Sequence, residues 1–220
     1  METYLSPTYF IDSNHPAVVA YTREVCGDEQ DPLRCAVKLF YAIRDGWRYD
    51  PSVVSIKKED LKASHVLSKD SGYCVEKAVL LAACARAAGI PSRLHFANVT
   101  NHIGTERIEK VLGTHVLVFH GYTELWLQEQ WVAATPAFNR SLCEKLGVMP
   151  LEFDGTHDAV FQEYDPQAGK FMEYLHDYGS FHDLPYELMV SEWRRYYPHL
   201  FRKLHNKEVM VLTDKSPELD

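Results

Sequence analysis

The sequence predicts an α+β domain in which several helices, one of them central and apolar, pack on an antiparallel β-sheet. Helical spacing of apolar residues dominates the chain up to the stop signal Gly89-Ile90-Pro91, and strand-like runs follow from Arg93 to Thr135. Of the 220 residues, 46% are hydrophobic and 25% charged, which is enough apolar material for one sizeable core. These observations together favour one compact mixed domain.

Each predicted helix is bounded by residues that start or stop helices, such as Pro at a first turn or Gly after a last one. The predicted helices are Ala17–Cys26, Pro32–Gly46, a short one around Glu59–Leu67, Cys74–Ala88, Glu106–Leu112 and Tyr186–Tyr197. The predicted strands are Arg93–Val99, His115–His120, Tyr122–Gln128 and Trp131–Thr135, with a break near Gly121. We interpret the strands as an antiparallel meander behind a helix.

The domain prediction covers residues 1–220 as a single unit. Its core lies at about 31–138, an aromatic-rich extension follows at 139–213, and a disordered tail is expected at 214–220. The extension has two interpretations, a lid over a cleft or simple packing on the outside of the core.

The charge pattern limits the classes of partner. A net charge of −8 and a pI near 5.8, without a Lys/Arg-rich run, argue against a nucleic-acid surface and an anionic membrane. The N-terminus lacks the basic start and apolar core of a secretory signal, and no stretch of about 18 apolar residues occurs. We therefore expect a cytoplasmic protein.

The cysteines are odd in number and include no C-x-x-C pair. They are Cys26, Cys35, Cys74, Cys84 and Cys143, and we expect all five to be reduced thiols. Cys84 has apolar neighbours in the same helix as Cys74, which predicts a core position.

Cys74 is the candidate nucleophile because it opens the long apolar helix directly behind the turn Ser71-Gly72-Tyr73. Unpaired N–H groups and the positive end of the helix dipole favour a thiolate there, which predicts a lowered pKa. The alternative is a small, buried, apolar side chain.

Two histidines, His115 and His120, are candidates for the base. They are separated by an odd number of residues, so in an unbulged strand they point to opposite faces. His120 shares its face with Tyr122 and Glu124, whereas His115 aligns with apolar residues. We therefore assign the base to His120 and a packing role to His115.

Three motifs resemble the transglutaminase-like superfamily, the papain-related fold of transglutaminases and of many bacterial cysteine proteins. Gly72-Tyr73-Cys74 and the helix up to Arg93 resemble its nucleophile segment. His120-Gly-Tyr-Thr-Glu-Leu-Trp126 resembles its histidine strand, and Trp47-Arg-Tyr-Asp-Pro51 its aromatic approach to the site. The resemblance implies Cys74 and His120 as catalytic residues, with substrate-binding residues that are Trp47, Gly72, Tyr73 and Tyr122.

One motif departs from the family pattern. The third motif of the family is usually Trp-x-x-x-Asp-Pro. This chain has Trp131-Val-Ala-Ala-Thr135-Pro136 there, so Thr135 takes the place of the third catalytic residue. A hydroxyl accepts a hydrogen bond from an imidazole N–H but does not stabilise imidazolium by charge. Glu124 or Asn139 could orient His120 instead, although Glu124 lies about 13 Å away along an ideal strand.

The chemistry implied by the resemblance is acyl transfer through a Cys74 thioester on a peptide or protein amide. Water as acceptor gives a peptidase or amidase, which we favour, and an amine gives a transglutaminase or ligase. Two alternatives stay open: an inactive binding or scaffold protein marked by Thr135, and an arylamine acetyltransferase-like enzyme. No metal-ligand spacing or phosphate-loop motif occurs, so no cofactor is expected; the oligomeric state is left open.

Overall fold

A computed structural model describes residues 1–101, 106–160, 164–165, 169–170, 172–203 and 209–212. Its helices are α1 (Pro16–Cys26), α2 (Pro32–Gly46), α3 (Ala63–Leu67), α4 (Cys74–Ala87), α5 (Glu106–Leu112), α6 (Arg140–Leu146), α7 (Tyr186–Tyr196) and α8 (Pro198–Lys203). Its strands are β1 (Arg48–Tyr49), β2 (Val53–Ser55), β3 (Ser71–Gly72), β4 (Ser92–Asn101), β5 (Val116–Leu127), β6 (Gln130–Ala134), β7 (Tyr164–Asp165), β8 (Gly169–Lys170), β9 (Met172–Phe181) and β10 (Val209–Val211). The predicted α+β class is confirmed, and the predicted tail at 214–220 lies outside the described residues.

Helix α4 is the centre of the domain. It is buried from Cys74 through Arg86, because α1, α2 and α3 pack on it from one side and β4 and β5 from the other. Its apolar residues are not confined to one stripe, and a helix that is hydrophobic all round belongs in the interior. The first residue of this central helix is the candidate nucleophile.

The main sheet is antiparallel, with strand order β6-β5-β4-β9. The predicted meander is confirmed as β4-β5-β6. The predicted break near Gly121 is wrong, because β5 runs without interruption from Val116 to Leu127. Strand β9 was not predicted: it is an edge strand, half of its residues are exposed, and its sequence lacks clear alternation.

Two cations are buried on α4, and each donates hydrogen bonds to three backbone carbonyls. The Lys77 ammonium reaches the carbonyls of Arg44, Trp47 and Ala137, each at 2.8 Å. Burial lowers the pKa of Lys77, and the three carbonyl oxygens favour the charged form.

The second cation, Arg86, binds the carbonyls of Ser6, Ser92 and His182 at 2.6, 2.9 and 2.5 Å. These carbonyls belong to the N-terminal segment, the start of β4 and the segment after β9. Helix α4 is therefore attached to distant parts of the chain through its two cations.

The expectation that all five cysteines are reduced is wrong. Cys26 and Cys35 form a disulfide, with Cα atoms 5.2 Å apart. Cys26 ends α1 and Cys35 lies in the first turn of α2, so the short turn between the helices brings the two thiols together. Cys74, Cys84 and Cys143 are free and buried, and the core position predicted for Cys84 is confirmed.

The C-terminal part of the chain returns to the core. Helix α7 packs on β5, and β10 pairs antiparallel with β2, with Met210 opposite Val54. None of the helices in the described ranges combines the length and apolar character that a membrane span requires.

Replacement of Lys77 by methionine should lower the free energy of unfolding by about 3 kcal/mol or more, because three buried carbonyls lose their donor. Urea denaturation followed by circular dichroism measures this change. Lys145→Met, at an exposed position of α6, is the matched control and should stay within about 0.5 kcal/mol of wild type. Equal effects of the two substitutions would show that the carbonyl contacts contribute nothing specific.

Candidate active site

Cys74 lies at the N-terminus of α4, as predicted, and its helix start is fixed by a carboxylate. Glu76 accepts a hydrogen bond from the Tyr73 N–H at 3.2 Å and pairs with Lys69 at 2.6 Å. The backbone N–H groups of Gly121, Val75 and Cys74 itself act on the Cys74 thiol in the direction of a lower pKa. The sulfur therefore sits at a cluster of amide donors, which is the usual basis of an oxyanion site.

Gly121 allows β5 to approach the start of α4 closely. A Cβ atom at this position would lie 2.8 Å from the Phe96 ring and 3.5 Å from the Val75 Cα. The absence of a side chain at Gly121 lets its backbone lie close to the start of α4, and the Gly121 N–H acts to lower the pKa of Cys74. Sequence reasoning treated this glycine as a strand break, whereas it is a contact between strand and nucleophile helix.

A β-bulge precedes His120. Ala97 pairs with His120 but Val99 pairs with Leu117, so β5 carries an extra residue between these pairs. Phe119 at the bulge has a φ of 64°, in the left-handed region that a bulky residue rarely adopts. The parity argument for an unbulged strand therefore does not apply across this position.

Three side chains hold the bulge. Asn98 accepts from the Phe119 N–H at 3.1 Å, Tyr197 accepts from the Val118 N–H at 2.8 Å, and Trp193 donates to the Val118 carbonyl at 3.0 Å. Trp193 and Tyr197 belong to the C-terminal extension, so this segment positions the strand that carries His120. Sequence reasoning missed these contacts, which the aromatic composition alone does not reveal.

Cys74 and His120 line one pocket of about 80 Å³. The remaining lining residues are apolar or aromatic: Tyr49, Pro51, Val54, Tyr73, Ile108, Leu112, Leu117, Val118, Phe119, Trp193, Tyr197, Leu200, Met210 and Leu212. Among these described residues none is a carboxylate or a cation. Tyr73 has a buried hydroxyl with no hydrogen-bond partner within the described part of the chain, which leaves a donor for a bound molecule.

The expectation of a lowered Cys74 pKa is not met by this buried site. Burial raises the pKa of Cys74 to about 11 and outweighs the opposing effect of the amide donors. Burial also lowers the pKa of His120 to about 4. The resting pair is therefore a neutral thiol and a neutral imidazole.

Thr135 directly follows β6 and is buried, with its N–H bonded to the Ala159 carbonyl at 2.9 Å. Its hydroxyl makes no hydrogen bond with any described residue, His120 included. Asn139 accepts from the Tyr49 N–H and donates to Ser141, and these contacts leave its side chain engaged away from His120.

Several predicted site residues lie away from the pocket. Trp47 is in the core, where its indole N–H donates to the Val66 carbonyl. Tyr122 stacks on His95 at 4.7 Å between ring centroids, beside Glu124, rather than in the pocket. Neither of these predicted substrate-binding residues belongs to the described lining of the pocket.

Glu124 and His115 are engaged elsewhere. Glu124 pairs with Arg93 at 2.6 Å, so it is no substitute for the missing carboxylate. His115 precedes β5, pairs with Glu109 at 2.7 Å and is 81% exposed, so its predicted packing role is wrong. Gly72 lies in β3, directly before Tyr73, and borders a separate polar groove with Asp50.

Within the described ranges, no three His, Cys, Asp or Glu side chains come together as a metal ion would require.

Comparisons with known proteins relate the chain to one superfamily. A model of the transglutaminase-like superfamily matches residues 19–136, more than half of the chain. A solved structure of a proposed cysteine protease from Cytophaga hutchinsonii is similar, with a TM-score of 0.53 and 13% identity over 84% of this chain. This chain spans 48% of that protein, about half its length.

A proposed protease from Parabacteroides distasonis matches more weakly, with a TM-score of 0.38 and 13% identity over 58% of this chain and 26% of that one. No curated protein sequence matches the chain significantly. At these identities the solved structures inform the fold alone.

The buried His120 predicts a specific loss of stability in acid. An unfolded histidine titrates near 6.5, whereas the pKa of His120 in the folded state is about 4, so between these values the unfolded chain binds a proton that the folded chain does not. The free energy of unfolding should fall by up to about 3 kcal/mol as pH decreases through this window.

Urea titrations of wild type and His120→Gln between pH 7 and pH 4 test this expectation. If His120 is the titrating group, the free energy of unfolding of wild type should fall relative to that of His120→Gln by about 3 kcal/mol towards pH 4. His115→Gln, at an exposed position, controls for the loss of a histidine in general. A constant difference in free energy of unfolding between wild type and His120→Gln from pH 7 to pH 4 would contradict a buried, neutral His120.

Proposed function

Because the chain belongs to the transglutaminase-like superfamily, we propose that it is a cysteine acyl-transfer enzyme with Cys74 as nucleophile and His120 as general base and acid. The observation that carries this proposal is their shared pocket, where backbone donors converge on the sulfur. A thiol at a helix N-terminus beside an imidazole is the arrangement that thioester chemistry needs. Thr135 is assigned no direct role in this pair.

The proposed reaction has two stages. The thiol proton of Cys74 passes to His120 as the sulfur attacks an amide carbonyl carbon, and N–H donors at the start of α4 stabilise the oxyanion. His120 then returns the proton to the leaving amine as the C–N bond breaks and a thioester forms. Water attacks the thioester with His120 as base, which releases the acid and restores the thiol.

Hydrolysis is the favoured outcome within this proposal. The described lining of the pocket contains no carboxylate, so it offers nothing that would attract a cationic amine acceptor such as lysine. Water needs no such group. Amine transfer would require an acceptor site elsewhere.

A second candidate function is a binding protein that retains the fold without turnover. It is favoured by the neutral state of the pair, because moving the proton from thiol to imidazole costs about 10 kcal/mol on the pKa values of about 11 and about 4. Attraction between the resulting thiolate and imidazolium, even at a separation of about 4 Å, would offset only about 4 kcal/mol of this cost. The surroundings of Cys74 and His120 therefore have to become more polar before the thiolate–imidazolium pair forms efficiently.

Peptide hydrolysis distinguishes the two functions. Purified protein should cleave members of an internally quenched peptide library, and Cys74→Ala and His120→Ala should each lower the rate at least about 100-fold, because nucleophile and base are lost. Mass spectrometry should detect a covalent acyl group on Cys74 in wild type only. Cleavage that survives Cys74→Ala, or no cleavage in wild type, would overturn the proposal.

Restoring a carboxylate next to β5 should activate the thiol. In Thr135→Asp, a charge near the end of β6 would favour imidazolium, so Cys74 alkylation by iodoacetamide should saturate at a lower pH than in wild type. The shift should be about one pH unit or more. Thr135→Asn has a side chain of the same size without the charge and should leave the pH dependence of Cys74 alkylation unchanged. Identical pH profiles for Thr135→Asp and Thr135→Asn would show that a charge at position 135 does not affect the thiol.

A further inference from the structure

The chain's own C-terminal segment occupies part of the pocket that contains Cys74. We call residues Val209–Leu212 the C-terminal strap. Strand β10 of the strap pairs antiparallel with β2, with Val209 opposite Ser55 and Met210 opposite Val54, and the Leu212 N–H donates to the Ser52 carbonyl at 2.6 Å. Backbone hydrogen bonds therefore hold it as an added strand.

Two side chains of the strap, two residues apart, line the pocket. Met210 is buried and lines the pocket, Leu212 also lines it, and Val209 is 38% exposed. In strand β2, Val54 lines the pocket while Val53 is 52% exposed. One face of this two-stranded ribbon thus points into the site of Cys74 and His120.

An added strand with alternate side chains in pockets is a general mode of peptide recognition. We infer that β2 is the docking edge for an extended peptide with uncharged apolar side chains two residues apart, and that the C-terminal strap occupies this edge in place of such a peptide. The apolar chemistry follows from the lining, which contains no charged side chain among its described residues. The inference rests on the proposed function and adds a substrate class and an autoinhibitory contact.

Two observations link the strap to closure of the site. Cys74 and His120 are both buried, and Met210 and Leu212 of the strap line the same pocket, so the strap covers part of the surface that surrounds the sulfur. Among the described strands, β10 pairs with β2 in a two-stranded sheet separate from the main sheet, so release of the strap breaks the hydrogen bonds of one short ladder. Short, sparsely paired elements are those that open locally at low free-energy cost.

Alkylation of Cys74 in the full-length protein tests the occupancy without requiring catalysis. Met210→Asp places a charge against the apolar lining and should increase the iodoacetamide rate at Cys74 at least about tenfold, as the strap leaves. Val209→Asp changes the exposed neighbour and should stay within about twofold of wild type. Peptide mass spectrometry assigns the modified cysteine, and circular dichroism confirms folding.

A reversible cross-link provides a second test if Met210→Asp does not fold. Val53 and Val211 are cross-strand partners, so Val53→Cys combined with Val211→Cys should form a disulfide that holds the strap. Oxidised protein should react at Cys74 more slowly than wild type, and dithiothreitol should restore the rate. Equal rates in the oxidised and reduced forms would overturn the inference.

A synthetic peptide corresponding to residues 207–214 tests the recognition mode. A tethered segment acts at an effective concentration of about 1 mM, so free peptide in that range should protect Cys74 in the Met210→Asp protein. The same peptide with aspartate in place of its methionine should not protect. If the unmodified peptide does not slow alkylation of Cys74, the inference that β2 docks an extended peptide is overturned, even if Met210→Asp exposes the thiol.

The two proposals fail in different ways. If strap release exposes Cys74 and the peptide protects it, but no peptide is cleaved, the docking edge is supported and the enzymatic proposal fails. If peptides are cleaved equally well by wild type and Met210→Asp, the enzyme is supported and the autoinhibitory strap fails.

Discussion

The complete burial of α4 is the constraint on which the rest of the structure depends. A helix without an exposed face has to satisfy its polar side chains internally, and Lys77 and Arg86 do so by binding six backbone carbonyls. Those carbonyls come from segments far apart in the chain. Because Lys77 lies one turn after Cys74, the same contacts that hold the domain together also fix the position of the nucleophile.

Six of the eight helices in the described ranges were predictable, as was the meander, because their signals are local, whereas α6 and α8 were not predicted. Gly and Pro mark the helix ends, and β4, β5 and β6 follow one another along the chain. Strands β9 and β10 were not, since each pairs with a strand distant in sequence and exposes much of its own surface. The disulfide was missed for a related reason: composition says little about which two cysteines a turn brings together.

The two residues predicted from a helix start and a histidine strand, Cys74 and His120, line one pocket, but their electrostatics were not predictable. The prediction of a lowered Cys74 pKa rested on the helix dipole alone. Burial of both side chains acts in the opposite direction and is the larger effect. The bulge at Phe119 and the contacts that hold it from α7 depend on tertiary packing, which no local pattern in the sequence encodes.

The threonine at position 135 is consistent with a site that rests in a closed, neutral form. Thr135 is buried, and an uncompensated buried carboxylate at this position would cost several kcal/mol. A hydroxyl avoids this cost. If opening admits water, the desolvation that separates the two pKa values decreases, and the ion pair becomes accessible without a third residue. In this view, the C-terminal strap controls the access of water to the pocket. Water then stabilises the imidazolium of His120 in part, as a fixed carboxylate does in a site that is permanently open.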